Sequence, residues 1–426
     1  MFEWLKKRLV GQQAVVDPYE EFVREFVAEC QRQELVPKSY DPNARGFLFV
    51  RDDGSEMTFF MHNGFREWLD RNRPGRTELM KRFVGSVFDS LHSEELDPAK
   101  LPDELMPGIR SASQISNVLI RNWLAGAPDD NSSATAFQPF AGDLVACALR
   151  DRINSVAQMA HSHLAFAKLS LDQAMERAMA NFRSKVPKPV FEPVGDGVFG
   201  SNNLADHQSA MLLLTPGVDY PLPAIEGPPI AVVPSRNVFY LTGRANEVGL
   251  MRALDIAQKA GQMGHFLSSA ILQWDGHRWV EAELAGGFGA RQREIRQHQI
   301  AADYNSQKQL LDQYHQSRGE DIFVANLMLF KPRDSVELFS VANLASGTIG
   351  TLLPHADRLF FGKQIVDPQT GLAEQVPQDK ADVAWSDAMA IAGDLFEEVP
   401  YLQPPRLKAL GFPTGDLWTR LKAAAR

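Results

Sequence analysis

Four polar residues spread along the chain have side chains suited to binding a polar ligand: Arg110, Asp143, Asp151 and Asn181. An arginine presents a planar fork of donors to an anion, and carboxylates can hold other polar groups of the same ligand. The same side chains could instead cap strand ends and a helix terminus, and the sequence leaves both interpretations open. A ligand site predicts that Arg110, Asp143 and Asp151 converge in one pocket with shifted pKa values.

Two further groups of residues suggest other kinds of site. His161 and His163 form the one close histidine pair, and on a strand the two rings would share a face and could ligate a metal with a third group. No Glu or Cys stands at a supporting spacing, so we predict no metal site. Ser268 and Ser269 near His265 could contribute to a hydrolase triad. No G-x-S-x-G turn presents either serine, which favours a structural role.

A glycine-rich run, residues 286–290 (GGFGA), precedes a helical segment. It lacks the Gly-Lys-Ser/Thr of a phosphate-binding loop and does not fit G-x-G-x-x-G after a strand, so we interpret it as a flexible hinge. The sequence contains no paired-carboxylate motif, dinucleotide fingerprint or kinase signature. It therefore predicts no cofactor and leaves enzymatic activity undecided.

Local signals indicate the elements that must position these residues. Residues 143–151 (DLVACALRD) predict a buried strand with polar ends, which would carry both candidate aspartates. Ser170 and Gln173 form a capping-box pattern at a helix start, and Asn246 is suited to cap another helix. Asp-Gly pairs at 53–54 and 275–276 predict two hairpins.

The most regular stretch is residues 227–284, which predict strand, strand, helix, strand and strand. The same order is predicted over 323–375, with a helical segment at 344–353 and a turn at 367–371 after a further strand. We interpret the two units as an internal repeat that arose by duplication or as a second domain of similar architecture. Chance similarity between two short α+β units stays open.

Residues 286–318 are rich in Gln, Arg, Asp and His, and their apolar spacing is too irregular for a coiled coil. They predict a polar helix that joins two bodies. We therefore expect an α+β protein with two lobes, each a mixed sheet packed by helices. The predicted division is a domain over 1–288, a polar helical linker over 289–318 and a smaller α+β domain over 319–426.

The formal net charge of −9 argues against a nucleic-acid or anionic-membrane binder, because phosphate contacts need clustered Lys and Arg. Two cysteines, Cys30 and Cys147, form no disulfide framework and fit a reducing compartment. The first ten residues lack the apolar core of a secretory signal, and no window matches the length of a spanning helix. We expect a cytoplasmic protein.

Six short segments, with Asp151, occur in the order associated with one bacterial family. They are 106–111 (MPGIRS), 140–144 (FAGDL), 169–173 (LSLDQ), 178–181 (AMAN), 231–234 (AVVP) and 267–276 (LSSAILQWDG). The chain thereby resembles the YtpQ-like proteins, a family of unknown function, over roughly residues 40–285. It departs from their pattern by an insertion at 125–138 and by an additional C-terminal domain. The resemblance implies a fold and a cytosolic bacterial setting, and it implies no chemistry.

Two functional hypotheses follow from the sequence. The first is a non-enzymatic protein-binding or scaffold protein that contacts a protein partner or a second copy of itself, because ample folded architecture comes without a recognisable catalytic constellation. The second is an enzyme or small-ligand binder with a polar site near Arg110, Asp143 and Asp151.

Overall fold

The chain is 42% helical and 28% strand, and its sheets pack against helices. The predicted α+β class is therefore confirmed. No described helix is both long and apolar enough to cross a membrane. The computed structural model describes residues 17–42, 45–51, 54, 56–69, 71–91, 96–152, 156–201, 207–263, 265–332, 338–347, 350–366 and 373–425.

The N-terminal unit (residues 17–91) packs three helices against a three-stranded antiparallel sheet. Its elements are α1 (Pro18–Arg32), β1 (Ser39–Asp41), β2 (Gly46–Val50), β3 (Glu56–Phe60), α2 (His62–Leu69) and α3 (Arg73–Leu91). The Asp17 side chain caps α1 by accepting a hydrogen bond from Tyr19 N at 2.9 Å. The β2–β3 pairing confirms the first predicted hairpin, whose turn residues 52 and 53 lie outside the described residues. The apolar side chains of this unit form a cluster of their own.

The middle unit (residues 96–285) contains two sheets. The first has the order β4–β6–β5, with β7 also paired to β6. Its elements are α4 (Leu101–Glu104), β4 (Leu105–Ser111), α5 (Ala112–Leu124), β5 (Phe137–Ala141), β6 (Leu144–Asp151), β7 (Val156–Gln158), α6 (His161–Phe166) and α7 (Leu171–Lys185). Strand β6 is the predicted buried strand, and the capping box of Ser170 and Gln173 at α7 is confirmed.

The second sheet of the middle unit is antiparallel, with the order β13–β12–β10–β11–β9–β8. Its elements are β8 (Phe191–Gly195), β9 (Val198–Ser201), β10 (Pro229–Ser235), β11 (Val238–Gly243), α8 (Glu247–Lys259), β12 (Ile271–Trp274) and β13 (Trp279–Glu281), with short 3-10 helices at 208–213 and 260–262. The predicted order over 227–284 is confirmed, and Asn246 Oδ1 caps α8 by accepting from Gly249 N at 2.8 Å.

A 32-residue helix, α9 (Gly286–Ser317), leads into the C-terminal unit (residues 319–425). That unit contains the sheets β14–β15–β17–β18 and β16–β20–β19. Its elements are β14 (Met328–Phe330), β15 (Phe339–Ala345), β16 (Leu352–Pro354), β17 (Arg358–Val366), β18 (Ala373–Ala384), α10 (Trp385–Ala392), a 3-10 helix at 393–395, β19 (Phe396–Val399), β20 (Arg406–Ala409) and α11 (Gly415–Ala424).

The helix expected at 344–353 in the second copy of the repeat is wrong. Strand β15 runs to Ala345, and strand β16 begins at Leu352. Strand β15 pairs in parallel with β17, whereas the pairs of the 227–284 unit are antiparallel. The leucines at the two ends of the segment, Leu344, Leu352 and Leu353, are buried in these strands. The duplication is unconfirmed, and the turn expected at 367–371 lies outside the described residues.

The predicted polar helix is confirmed as α9, but many of its polar side chains lie against the protein. Gln292 and Gln307 are buried, and Gln292 Nε2 donates to Ala282 O at 2.6 Å. The hinge interpretation of residues 286–290 is wrong, because they form the first turn of α9. A Cβ on Gly289 would lie 2.1 Å from Leu284 O, so glycine allows the helix to begin close to the preceding chain.

Arg406, at the start of β20, joins α9 to the C-terminal unit. Its side chain is fully buried. Nε donates to Gln307 Oε1 at 2.6 Å, Nη2 donates to Tyr304 O at 3.0 Å, and Nη1 donates to Ala325 O at 2.9 Å and Leu352 O at 3.1 Å. Burial lowers the pKa of Arg406 to about 10. All four acceptors are neutral, and the charge of Asp312 opposes the effect of burial on the pKa of Arg406.

We expect Arg406→Met to lower the free energy of unfolding by about 3 kcal/mol or more, because four buried acceptors lose their donor. Urea denaturation followed by tryptophan fluorescence measures the loss. Arg420→Met, at an exposed position of α11, is the matched control and should stay within about 0.5 kcal/mol of the parent protein. A loss below about 1 kcal/mol in Arg406→Met would contradict the role given to this side chain.

Candidate anion-binding site

The structure divides the four candidate residues of the sequence between the two ends of β6. Arg110 lies opposite Val145, and Asp143 directly precedes the strand. Asp151 is the last residue of β6, so roughly 26 Å of extended chain separates the two aspartates at about 3.3 Å per residue. The expected convergence of Arg110, Asp143 and Asp151 in one pocket is therefore not found.

Asp151 and Asn181 have structural contacts at the far end of the strand. Asp151 Oδ2 lies 3.2 Å from His207 Nε2. Asn181 Nδ2 donates to the carbonyl oxygens of Pro102 and Leu105, both at 2.8 Å, and so ties α7 to α4 and the start of β4. Both hydrogen bonds of the Asn181 carboxamide nitrogen go to backbone carbonyls, so this side chain has a structural role. Asn181 therefore does not belong to the site of Arg110.

Asp143 belongs to a polar network beneath α9. Its Oδ1 accepts a hydrogen bond from Ser268 Oγ at 2.6 Å and lies 3.1 Å from Arg296 Nη1. Arg296 Nε in turn lies 3.0 Å from Glu281 Oε1. This network fastens α9 to the middle unit. In this network the Ser268 hydroxyl donates its hydrogen bond to a carboxylate. In a hydrolase triad the serine hydroxyl must donate to a histidine instead.

Asp303 of α9 lies beside this network. Its Oδ1 accepts from Ser113 Oγ at 2.9 Å and from Gln299 Nε2 at 3.0 Å. Burial raises the pKa of Asp303 to about 6. The charge of Asp143 adds to the shift, while the two hydrogen bonds and Arg296 oppose it. A folded-state pKa above the ordinary value means that ionised Asp303 destabilises the fold.

We expect Asp303→Asn to raise the free energy of unfolding at pH 7.5 by up to about 3 kcal/mol. The asparagine oxygen can accept the same two hydrogen bonds without a charge. The gain should shrink as the pH falls from about 6 towards 4, because folded Asp303 then binds its own proton. Denaturation at pH 7.5, 6 and 4 measures the difference.

The control for this prediction is Asp312→Asn on the same helix, where the carboxylate is 45% exposed and pairs with Lys308. It should change stability by less than about 1 kcal/mol at each pH. A loss of stability in Asp303→Asn at pH 7.5 would contradict the sign of the shift.

Arg110 lines a polar cavity of about 290 Å³ between the N-terminal and middle units. The cavity receives Arg66 from α2, Gln114 from α5, Gln158 from β7 and Arg236 from the β10–β11 turn. The loop residues Met263, His265, Phe266 and Leu267 complete its lining. Three arginines from three separate elements therefore line one cavity.

The strand register explains why Arg110 and Gln158 reach the same space. Arg110 pairs with Val145, Gly108 with Cys147, and Leu149 with Gln158. Because side chains alternate between the faces of a strand, these positions share one face of the sheet. Gln158 Oε1 accepts from Thr135 Oγ1 at 2.6 Å, which leaves its amide nitrogen as a donor.

Hydrogen bonds hold the backbone of residues 265–267, which line the cavity together with Met263. Gln114 Nε2 donates to Phe266 O, and Leu267 N donates to Pro234 O at 2.9 Å. Arg236 N donates to His265 O at 3.3 Å. His265 adopts a φ of 54°, a conformation uncommon for residues other than glycine. Each of these three residues therefore has a hydrogen bond to a residue outside the segment.

Arginine is the charged residue type that recurs in the lining. Among the described residues, the lining contains Arg66, Arg110 and Arg236 and no Asp or Glu. Arg110 is only 6% exposed, its Nη1 donates to Ile109 O at 2.8 Å, and among the described residues it has no carboxylate partner. A buried guanidinium needs an anion or several acceptors. The arrangement is suited to an anion that enters from solution.

Among the described residues, Glu67 is a carboxylate next to the cavity, and it already pairs with other cationic side chains. It lies 2.6 Å from Arg71, 2.7 Å from Arg82 and 3.7 Å from His265. Burial alone would raise its pKa, but the hydrogen bond from His265 and the charges of Arg82 and Arg71 outweigh burial and lower the pKa to about 2. Glu67 therefore stays ionised and shared, and it does not neutralise Arg110.

We expect Glu67→Gln to lower the free energy of unfolding at pH 7 by about 3 kcal/mol, because the ionised form is stabilised in the fold. A depressed pKa contributes stability above about pH 4.5 and loses it as the pH falls towards 2. The difference between variant and parent should therefore narrow below pH 4.5. Glu78→Gln, whose carboxylate is 78% exposed, is the control. Equal stability of Glu67→Gln and parent at pH 7 would contradict the assignment.

The histidine pair considered as a metal site lies in a short helix. His161 and His163 both belong to α6, where positions i and i+2 do not share a face. His163 Nδ1 accepts a hydrogen bond from Ala160 N at 3.2 Å. The part of the chain that the structure describes contains no group of three or more His, Cys, Asp or Glu side chains that could hold a metal ion.

Comparison of the chain with protein-family models, with characterised proteins and with solved structures finds no match. The resemblance to the YtpQ-like proteins therefore stays a prediction, as do the bacterial and cytoplasmic setting. Of the cavity residues, sequence reasoning identified Arg110 and missed Arg66, Gln114, Gln158 and Arg236 as parts of a site. The sequence feature that indicates a site at Arg110 is its charge, because the other residues of segment 105–111 are apolar or small.

Proposed function

We propose that this chain binds a small anionic ligand in the cavity lined by Arg66, Arg110 and Arg236. The observation that carries the proposal is the nearly complete burial of Arg110 without a carboxylate partner among the described residues. The proposal corresponds to the small-ligand hypothesis of the sequence, with Arg110 retained. Asp143, Asp151 and Asn181 are reassigned to structural contacts.

The energetics favour a ligand over a purely structural role for Arg110. An uncompensated buried charge costs several kcal/mol, and one hydrogen bond to Ile109 O offsets only part of that cost. An anion in the cavity would receive charge-assisted hydrogen bonds, which are about twice as strong as neutral ones. Binding of an anion would therefore stabilise the fold by compensating the buried charge of Arg110.

The surroundings of Arg110 support binding more than covalent catalysis. Cys147 is a nucleophile on the same face of the sheet as Arg110, since its partner Gly108 is two residues from Arg110. Burial raises the pKa of the Cys147 thiol to about 11, although the charge of Arg110 acts in the opposite direction. The thiol is therefore protonated at neutral pH and a poor nucleophile. The protein-binding or scaffold hypothesis stays a prediction, since no contact of the described residues favours it.

We expect Arg110→Met to abolish anion binding without lowering the stability of the ligand-free protein, because methionine removes an uncompensated buried charge. The measurement is the thermal unfolding midpoint with and without 20 mM inorganic phosphate, at constant ionic strength adjusted with chloride. Parent protein should gain about 2 °C or more in phosphate, and Arg110→Met should gain nothing.

Arg121→Met, at an exposed position of the adjacent helix α5, is the matched control and should respond to phosphate as the parent does. The proposal fails if phosphate, sulfate and malate all leave the parent midpoint unchanged. It also fails if Arg110→Met retains the full response.

A further inference from the structure

The cavity is shared between two units, and this sharing restricts what it binds. We propose that the ligand carries a phosphate group that is held from two sides at once, by Arg110 and Arg236 of the middle unit and by Arg66 of the N-terminal unit. This inference rests on the proposed function and adds the chemical class of the ligand and the source of its third arginine.

Two contacts between the units lie at the cavity itself. Arg66 Nη1 donates to Met263 O at 3.4 Å, and His265 Nε2 lies 3.7 Å from Glu67 Oε2. Arg66 and Glu67 are neighbours on α2, and Met263 and His265 both line the cavity. The apolar side chains of residues 19–91 pack in their own cluster, separate from the cluster of the middle unit. Polar contacts at the cavity therefore help to hold the N-terminal unit in place.

The placement of the three arginines on three different elements favours a tetrahedral anion. Arg66 comes from a helix, Arg110 from the end of a strand, and Arg236 from a hairpin turn. A carboxylate offers two oxygens in one plane, which suits one bidentate arginine. A phosphate group offers three terminal oxygens that diverge and that can each accept from a different guanidinium.

The charge of a phosphate group also suits a lining that contains several arginines. A phosphate monoester carries a charge of about −1.5 to −2 at pH 7, more than one carboxylate carries. Its terminal oxygens can be shared among Arg66, Arg110 and Arg236, which all line the cavity.

The size of the cavity limits the rest of the molecule. About 290 Å³ lies at the lower end of the range of about 300–1,000 Å³ for pockets that enclose drug-sized ligands. The space fits a phosphate group with a few attached carbon atoms. Inorganic phosphate and glycerol 3-phosphate are therefore suitable probes, and malate is a matched small dianion without phosphorus.

Isothermal titration calorimetry of the full chain with these three probes tests the class of ligand. We expect both phosphate probes to bind at least about tenfold more tightly than malate. Equal or tighter binding of malate would overturn the phosphate class and leave anion binding intact. Absence of binding by all three probes would overturn both this inference and the proposed function.

The variant Arg66→Ala tests the contribution of the N-terminal unit. Loss of one charge-assisted contact should weaken binding of glycerol 3-phosphate about tenfold or more. Arg66 is exposed and its hydrogen bond to Met263 O is long, 3.4 Å, so the unfolding midpoint of the ligand-free variant should fall by no more than about 2 °C. Arg73→Ala, at an exposed position of the same unit outside the cavity, should bind as the parent does. If Arg66→Ala binds glycerol 3-phosphate with the affinity of the parent, the claim that the N-terminal unit contributes to the site is wrong.

Discussion

The antiparallel pairing of β4 with β6 determines where each candidate residue lies. The two strands pair without a break from Leu105 opposite Arg150 to Ser111 opposite Leu144. At Gly108 an added Cβ would lie 2.5 Å from Leu149 Cδ1, so glycine permits the close fit of this pair. The register directs Arg110 to the face that carries the cavity, and a slip by one residue would turn the guanidinium to the opposite face.

Two buried arginines show how the protein treats a charge inside the fold. Arg406 donates four hydrogen bonds to neutral acceptors on α9 and the C-terminal unit, so its charge is dispersed within the protein. Arg110 is nearly as buried, but among the described residues it has one such bond, to Ile109 O. In the part of the chain that the structure describes, Arg406 therefore has four acceptors and Arg110 has one. This contrast between two side chains of the same type is the main reason to assign a ligand to Arg110.

Local signals in the sequence predicted much of the fold. The capping box at Ser170, the cap at Asn246 and the strand over 143–151 depend on neighbouring residues, and all three are present. The helix expected at 344–353 failed because its leucines belong to the ends of two strands, β15 and β16, and short apolar stretches do not distinguish strand from helix. Strand β15 is stabilised as a strand by its parallel partner β17, which follows later in the chain. A local pattern does not contain this information.

The site was harder to predict because it depends on long-range contacts. Arg66 and Arg236 are 170 residues apart in sequence and meet only through the packing of the N-terminal unit on the middle unit. No spacing rule connects them to Arg110. Asp143 and Asp151 were chosen for their types, and the length of β6 separates them. The polar helix was recognised as helical, but its composition did not reveal that Gln292 and Gln307 hydrogen bond inside the protein.

The most direct test of the central claim is anomalous diffraction from crystals soaked in tungstate, a heavy tetrahedral oxyanion of phosphate geometry. The account predicts one dominant peak within about 4 Å of the guanidinium groups of Arg110, Arg236 and Arg66, which is the range of direct ion pairing. A cavity without a peak, in crystals where tungstate binds elsewhere on the protein, would contradict it.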